Sequence, residues 1–182
     1  MQSYCLFETA IGACALVWRP QGIIGTFLPE SRREHLIERL ERKFPNAQEN
    51  RAPEDHDATI RRIVAHLSGT PDDLADVALD ESGIAAFDHA VYRIARAIPI
   101  GEVLTYGEVA SELGAKDSAR EVGQALGRNP FPIIVPCHRV LAAGGKIGGF
   151  SAPGGISTKR RLLAIESEMA PPKATAAQYR LI

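Results

Sequence analysis

One cysteine near the C-terminal end of the chain stands in a setting that suits nucleophilic chemistry. Cys137 directly follows Pro136 and is followed by His138 and Arg139. A thiolate is a strong nucleophile when cationic or dipolar neighbours lower the pKa of the thiol. The stretch 144–155 is rich in glycine, and backbone without side-chain bulk can close over a flat ligand. The pattern predicts a reactive sulfur that faces a narrow slot.

The same cysteine also fits a purely structural role. An unpaired cysteine after an apolar run, here 133–135, is more often a small buried core residue than a nucleophile. The two potential cations behind Cys137 favour the reactive interpretation. His138 is the sequence neighbour of the thiol, so the two side chains should diverge, and we expect contact through a bridging water.

Orienting the imidazole requires a third group, as in nucleophilic triads, where a carboxylate holds the histidine. Glu166, on a helix predicted over 157–168, is the candidate. The alternative for this residue is a solvated glutamate at a helix end. Because no histidine is placed for direct contact with Cys137, a Cys-His hydrolase is a weak hypothesis.

Two short helices ahead of the cysteine predict a helix-turn-helix. The segments 105–108 and 118–121 each have the spacing of a capping box, in which a hydroxyl and a carboxylate satisfy amides at a helix start. Gly114 and Gly127 end the two helices. Many proteins that do not bind DNA also pair helices in this way, so the pattern alone does not assign a function.

The first half of the chain predicts a small α+β unit without a reactive cluster. Strands at 13–18 and 22–28 flank a turn that contains proline, which suits a hairpin. Two amphipathic helices follow, the first capped by Ser31 and the second ending at Ser68. A polar loop over 48–54 separates them.

Composition limits the class of protein. The 182 residues, 45% hydrophobic and 24% charged, suit a globular chain with one ordinary domain or two small ones. No apolar run is long enough to span a bilayer, and no secretory signal is evident at the N-terminus. Three widely spaced cysteines do not form a disulfide framework, so we expect a cytoplasmic protein.

Charge is distributed unevenly along the chain. Residues 1–85 hold 9 Lys/Arg against 14 Asp/Glu, a net −5, whereas residues 86–182 hold 12 against 8, a net +4. If the protein meets a polyanion, the C-terminal half should contact it. Chance clustering is the alternative for a difference of this size.

The run Pro136-Cys137-His138-Arg139-Val140, with Tyr106, Arg120 and Asn129 upstream, resembles the O6-alkylguanine-DNA alkyltransferases, the methylated-DNA–protein-cysteine methyltransferases. The resemblance covers roughly 86–168. It implies an α+β protein with a small RNase-H-like α/β domain over 1–82. A mostly helical, winged-helix-type domain with the helix-turn-helix, the DNA-binding surface and the active site would follow over 83–168, and a weakly ordered tail over 169–182.

The resemblance also implies catalytic roles. Cys137 would accept the alkyl group by in-line displacement, and His138 would take the thiol proton through water while Glu166 holds the imidazole. Asn129 would brace the turn that leads to the cysteine. Tyr106 would help to rotate the target nucleotide out of the duplex and would donate a proton to the guanine ring.

The resemblance assigns DNA contacts as well. Arg120 would enter the duplex and fill the space that the lesion vacates, and the Ser151 backbone amide would face O6. Main-chain carbonyls near Cys137 and Val140 would read the exocyclic amine. The full set of DNA-contacting residues is Tyr106, Ala119, Arg120, Gly123, Arg128 and Ser151.

The implied activity is the irreversible, single-turnover transfer of an alkyl group from O6 of guanine, and also from O4 of thymine, after the base is flipped. The partner would be double-stranded DNA that contains O6-alkylguanine, met by a monomer without a cofactor. No zinc motif is recognisable, and four histidines are interpreted as solvated: His35, His56, His66 and His89. The chief alternative is a non-catalytic module that only binds alkylated lesions, against which Cys137 argues.

Two charged features remain open at this level. Glu121 stands where the family usually has a small residue near the minor groove, and a carboxylate there should weaken DNA binding unless it serves the capping box of Ser118. The basic run 159–161 is either a solvated helix face or a phosphate contact.

Overall fold

The N-terminal half is built on a four-stranded sheet. The fold is that of a computed structural model, which describes residues 1–170. Strands β1 (Gln2–Thr9), β2 (Gly12–Arg19) and β3 (Gly22–Phe27) form an antiparallel meander, and β4 (Ala47–Glu49) pairs with β1 in parallel, giving the order β3-β2-β1-β4. The predicted hairpin is confirmed. The predicted loop over 48–54 is wrong at its start, because β4 extends the sheet there.

Successive side chains of β2 point to opposite faces of the sheet, and both faces are covered. Ala15 and Val17 pack with Leu36 and Leu40 of α1 (Arg33–Lys43) on one face, while Leu16 belongs to the main core on the other. Helix α2 (Glu54–Leu67) packs against that second face through side chains including Ile60, Ile63 and Leu67. The predicted Ser31 cap is wrong. Arg32 is the N-cap of α1, and no side chain caps the helix.

The C-terminal half is mostly helical. It contains α3 (Ala86–Ala97), α4 (Tyr106–Glu112), α5 (Ala119–Gly127) and α6 (Ile156–Met169), with a two-stranded parallel pair, β5 (Leu104–Thr105) and β6 (Val140–Leu141). Helices α4 and α5 are the predicted pair joined by a short turn. The predicted tail covers 169–182, and its residues beyond Ala170 lie outside the described part of the chain.

Only one of the two predicted capping boxes forms. Thr105 Oγ1 accepts from the Glu108 amide at 3.2 Å, and the Glu108 carboxylate accepts from the Thr105 amide at 2.6 Å, as predicted. Ser118 is the N-cap of α5, but its side chain makes no capping hydrogen bond, so the box with Glu121 is wrong. The φ/ψ of Ser118, −95° and 24°, lies outside the β region from which an N-cap hydroxyl normally reaches the N3 amide.

The two halves share one hydrophobic core. Trp18, Ile63, Val91 and Leu162 all belong to the same buried cluster, which also contains Cys137. Buried apolar contacts therefore hold the two halves together, and the turn that carries Cys137 takes part in them.

The acidic stretch 71–82, at the end of the N-terminal half, is held against that half. Arg62 contacts the carboxylates of Asp72 and Asp76 at 2.7 and 2.6 Å, and Leu74 is 1% exposed. Leu74 adopts a φ of 53°, a conformation that surrounding contacts must impose on a non-glycine residue. This stretch is a packed connection rather than a free one. No helix within residues 1–170 combines the length and the apolar character needed to cross a bilayer.

Candidate active site

Cys137 lies at the start of a single 3-10 turn, Cys137–Arg139. The loop before this turn is held by hydrogen bonds to the Asn129 side chain. Asn129 Oδ1 accepts from the Phe131 amide at 2.9 Å, and Asn129 Nδ2 donates to the Val135 carbonyl at 2.9 Å. Between these bonds Ile133 has a φ of 80°, which is rare for a β-branched residue. Asn129 thus braces the turn that delivers the cysteine, in the place where the resemblance puts it.

The N-terminal sheet supports the same loop from outside. The Thr26 amide donates to the Pro130 carbonyl at 2.9 Å, and Thr26 Oγ1 donates to the Pro132 carbonyl at 2.7 Å. Thr26 is 5% exposed. The edge of β3 therefore fixes the loop that carries the thiol, and nothing in the local sequence around Thr26 indicates this role.

A buried carboxylate stands behind the cysteine. Glu166 is 1% exposed, and its Oε1 lies 2.9 Å from His138 Nε2, as the triad hypothesis requires. Arg139 binds the same carboxylate with Nε at 2.9 Å and Nη2 at 2.8 Å, and its Nη1 donates to the Ile98 carbonyl at 2.6 Å. The solvated alternative for Glu166 is therefore excluded.

A second histidine completes this cluster. His66 of α2 is 2% exposed, and its Nε2 lies 3.2 Å from Glu166 Oε1. The prediction that His66 is solvated is wrong. Its spacing gave a usable signal, because His66 follows Ile63 by three residues on the buried face of α2. Charged residues elsewhere on α2, such as the exposed Arg61, make the helix look polar in sequence.

Each imidazole keeps one nitrogen without a protein partner. His138 Nδ1 and His66 Nδ1 are buried and make no hydrogen bond within the described residues. With Nε2 engaged by the carboxylate, Nδ1 of a neutral His138 is a free acceptor. That acceptor is suited to take a proton from the thiol through an intervening water, since Cys137 and His138 are adjacent in sequence.

Burial and charge set the protonation states. Burial raises the pKa of the Cys137 thiol, while a hydrogen bond with Asn129 and the Lys159 ammonium oppose the rise. Burial lowers the pKa of His138 despite the Glu166 carboxylate. Burial also pushes the pKa of Glu166 upward, but hydrogen bonds from His138, His66 and Arg139 outweigh it and hold that pKa far below its usual value. The resting state is a thiol beside a neutral imidazole and an ionised glutamate.

A cavity of about 340 Å³ opens over the sulfur. Helices α4 and α5 form one wall and the glycine-rich loop forms the other, with lining residues Tyr106, Gly123, Leu126, Gly127, Cys137, Gly149, Phe150 and Ser151. Cys137 is 9% exposed, so the sulfur lies at the base of an open slot rather than in a sealed core. The volume is in the range of small-molecule sites, and the predicted slot is confirmed in shape.

Lys159 ties the loop to the base of the cavity. It is fully buried, and its Nζ donates to the Val140 carbonyl at 2.6 Å and lies 5.8 Å from the centre of the Tyr106 ring. Neither alternative given for the run 159–161 fits Lys159, which is not solvated and cannot reach a phosphate. Its i,i+3 spacing to Leu162 on α6 was the missed signal. The Val140 carbonyl, expected to read a base, is engaged by this ammonium.

The residues predicted to contact DNA lie along α5 and the loop. Arg120 is exposed at the first turn of α5, Ala119 is half-buried beside it, and Gly123 and Ser151 line the cavity. Arg128 differs, because its guanidinium forms a bidentate pair with Asp88 at 3.0 and 2.8 Å. Of the six predicted DNA contacts, three line the cavity: Tyr106, Gly123 and Ser151.

No group of three or more His, Cys, Asp and Glu side chains within residues 1–170 is arranged so that it could hold a metal ion. The other three histidines lie apart. His35 bonds with Ser31, His56 packs edge-on against Trp18, and His89 lies 2.9 Å from Glu81.

The mixed α+β fold and the thiol beside a histidine define a class of protein with a recessed cysteine that faces a ligand-sized cavity. The sequence profile of the 6-O-methylguanine DNA methyltransferase DNA-binding domain matches residues 86–168. A methylated-DNA–protein-cysteine methyltransferase of Mycolicibacterium paratuberculosis is 40% identical over 116 residues, which cover 64% of this chain and 68% of that protein. The chain belongs to the methylated-DNA–protein-cysteine methyltransferase family.

Solved structures agree over nearly the whole chain. The crystal structure of Mycobacterium tuberculosis O6-methylguanine methyltransferase superposes with a TM-score of 0.78 at 33% identity, covering 94% of this chain and 96% of that one. A crystal structure of the M. tuberculosis protein OGT in complex with DNA gives a TM-score of 0.74 at 33% identity, covering 93% and 96%. The N-terminal half is therefore shared as well, although the family profile does not reach it.

Proposed function

We propose that this protein repairs DNA by transferring an alkyl group from O6 of guanine to Cys137. The names of its relatives confirm alkyl transfer from DNA to a protein cysteine, and the non-catalytic alternative is not favoured. The observation that carries the residue assignment is the coupling of a recessed Cys137 to His138 and Glu166 at the base of an open cavity.

The chemistry follows from the protonation states of the site. Water would pass the thiol proton to His138 Nδ1 as the sulfur attacks the alkyl carbon, and Glu166 would stabilise the imidazolium that forms. The alkyl–O6 bond breaks, and its electron pair goes to the guanine ring. Burial raises the pKa of Tyr106, so this hydroxyl stays protonated and is suited to donate to that ring. The thioether is stable, so each molecule reacts once.

Access to O6 requires the nucleotide to leave the duplex. A stacked base does not present O6 to a sulfur nucleophile, and extrusion costs a few kcal/mol. Arg120, exposed at the start of α5, would occupy the vacated space and offset that cost. Gly123 and the loop around Ser151 leave the cavity open to a flat purine.

Transfer to Cys137 is tested by intact-protein mass after incubation with duplex DNA that contains O6-methylguanine. We expect the mass of one methyl group to be gained per chain and mapped to Cys137. Cys137→Ser should abolish the gain while it retains DNA binding, since the hydroxyl is a far weaker nucleophile at neutral pH. Transfer that survives in the serine variant, or repeated turnover, would refute the assignment.

The finer architecture belongs to the same proposal. We infer an RNase-H-like domain over 1–82 and a winged-helix-type domain over 83–168, supported by the sheet order and by the pairing of α4 with α5. We also infer a cytoplasmic monomer that acts on double-stranded DNA, at O4 of thymine as well as at O6 of guanine. The three unpaired cysteines support a reducing compartment.

A further inference from the structure

A second cavity, of about 280 Å³, adjoins the first at the sulfur. The two share five lining residues, Leu126, Gly127, Cys137, Phe150 and Ser151. From there the second cavity extends toward the N-terminal half, where Thr26 and Phe27 line it. Its distinctive lining is cationic: Arg39 and Lys43 from α1, and Arg128 from the end of α5. A space beside the nucleophile that is lined by three cations calls for an anionic occupant.

The carboxylates around this cavity do not neutralise it. Arg128 is bound to Asp88 through two of its nitrogens. Arg39 makes one long contact with Glu30, 3.4 Å between Nη1 and Oε1, which leaves most of its donors unused. Lys43 pairs with no carboxylate within the part of the chain that the structure describes. Three cations therefore face two carboxylates, and the uncompensated charge lies on α1.

The two cations of α1 both contact one aromatic ring. Both lie over the Phe27 ring, with Arg39 Cζ at 5.4 Å and Lys43 Nζ at 5.7 Å from its centre. Desolvation, and then the charge of Arg39, lower the pKa of Lys43. An anion in the cavity would relieve this like-charge repulsion and would have both side chains already positioned around it.

We propose that this cavity receives the substituent carried on O6, and that Arg39 and Lys43 select substituents that end in a carboxylate, such as a carboxymethyl group. The proposal rests on the proposed function. With guanine in the first cavity and O6 facing the sulfur, the carbon under attack lies where the two cavities meet. The remainder of the substituent then enters the second cavity, which is roomy enough for several non-hydrogen atoms.

The transfer itself balances without any further reactant. The Cys137 sulfur attacks the methylene carbon, the carbon–O6 bond breaks, and its electron pair goes to the guanine, which takes a proton. The product is S-carboxymethylcysteine, and its carboxylate remains beside Arg39 and Lys43. The thiol proton goes to His138 as for a methyl group.

The test compares single-turnover rate constants of the full chain on three DNA duplexes, which carry O6-methyl-, O6-carbamoylmethyl- or O6-carboxymethylguanine. The carbamoylmethyl group matches the carboxymethyl group in size but is neutral. We expect the carboxymethyl-to-carbamoylmethyl ratio to exceed one, and to fall about tenfold in Arg39→Gln/Lys43→Gln, as for the loss of charge-assisted hydrogen bonds. Added salt should also lower the ratio in the unchanged protein.

Arg42→Gln is the matched control, because Arg42 is an exposed cation in the same last turn of α1 that does not line the cavity. It should leave the ratio unaltered. Lys43→Gln alone alters an exposed side chain, so it keeps the test valid if the double variant folds poorly. A ratio that the double variant does not change, or an equal loss on all three duplexes from a lost phosphate contact, would overturn the proposal. Failure on O6-methylguanine itself would instead refute the proposed function.

Discussion

At the scale of single residues, the chemistry of this site depends on one buried carboxylate with several partners. Oε1 of Glu166 accepts from His138, His66 and Arg139, and Oε2 accepts from Arg139. An ionised carboxylate in a buried site is stable only when its lone pairs are satisfied in this way. Arg139 and His66 therefore help to keep Glu166 ionised, as the proposed stabilisation of a charged His138 requires.

His66→Leu should separate this role from simple packing. Leucine fills similar space but donates nothing to Glu166, so we expect a loss of about 1–3 kcal/mol in the free energy of unfolding and a slower methyl transfer. His66→Gln retains an N–H near the position of Nε2 and should recover much of both. Urea unfolding and single-turnover rates measure the two effects. Equal behaviour of the leucine and glutamine variants would contradict the role.

At the scale of elements, helix α5 presents opposite charges at neighbouring positions. Arg120 and Glu121 are both exposed in its first turn. Because Ser118 forms no capping bond, Glu121 has no reciprocal place in a capping box. Its carboxylate is then simply a negative charge on the helix that is expected to meet DNA.

Arg120→Ala and Glu121→Ala should therefore act in opposite directions. We expect the first to slow reaction with duplex DNA more than with free O6-benzylguanine, because only the duplex needs the vacated space filled. We expect the second to tighten DNA binding up to about fivefold, the size of an exposed charge interaction, with the largest effect at low salt. Fluorescence anisotropy at two salt concentrations and single-turnover rates measure both. An equal loss on duplex and free base for the first, or weaker binding for the second, would count against this account.

At the scale of the whole molecule, the N-terminal half is part of the site. Thr26 holds the loop before Cys137, and His66 reaches Glu166 across 100 positions of sequence. One hydrophobic cluster joins the two halves beneath these contacts. We expect a truncated C-terminal half to lose both supports.

Stability of the whole molecule should peak between about pH 6.5 and 9. The folded-state pKa values of His138 and Glu166 are lowered from 6.5 and 4.5, so on acidification the unfolded chain binds protons first and stability falls through both values. Burial raises the thiol pKa from 9.0 to about 11 at Cys5 and to about 12 at Cys14. Burial also raises the pKa of the Cys137 thiol. Unfolded thiols therefore ionise first above pH 9, and stability falls again.

Urea midpoints across pH 4 to 10 measure this dependence. Each group whose pKa shifts contributes about 1.4 kcal/mol per pH unit within its window. Cys14→Ala is a small change in a residue of β2. It should reduce the fall in the free energy of unfolding above pH 9 without affecting the fall at acid pH. A free energy of unfolding that stays level from pH 7 to pH 4 would contradict the assignment of a buried neutral His138 and an ionised Glu166.

Local features of this protein were predictable from its amino-acid sequence. The hairpin, the helix periods, the Thr105 capping box and the cysteine motif all depend on residues within a few positions of one another, and each was predicted. Glu166, the proposed partner of His138, was also predicted. The prediction came from the helix expected over 157–168 and from the resemblance to the alkyltransferases. Where a local pattern was ambiguous, as at Ser118, the prediction was wrong.

The identity of the buried polar side chains, and of their partners, became known from the packing of the folded chain. His66 and Lys159 look like surface residues among charged neighbours, yet both lie at the site because their helices turn those positions inward. Thr26, Arg39 and Lys43 line or brace the cysteine loop from a distant part of the chain. Such pairings depend on how helices and the sheet pack, and contacts between residues about a hundred positions apart leave no periodicity in one sequence.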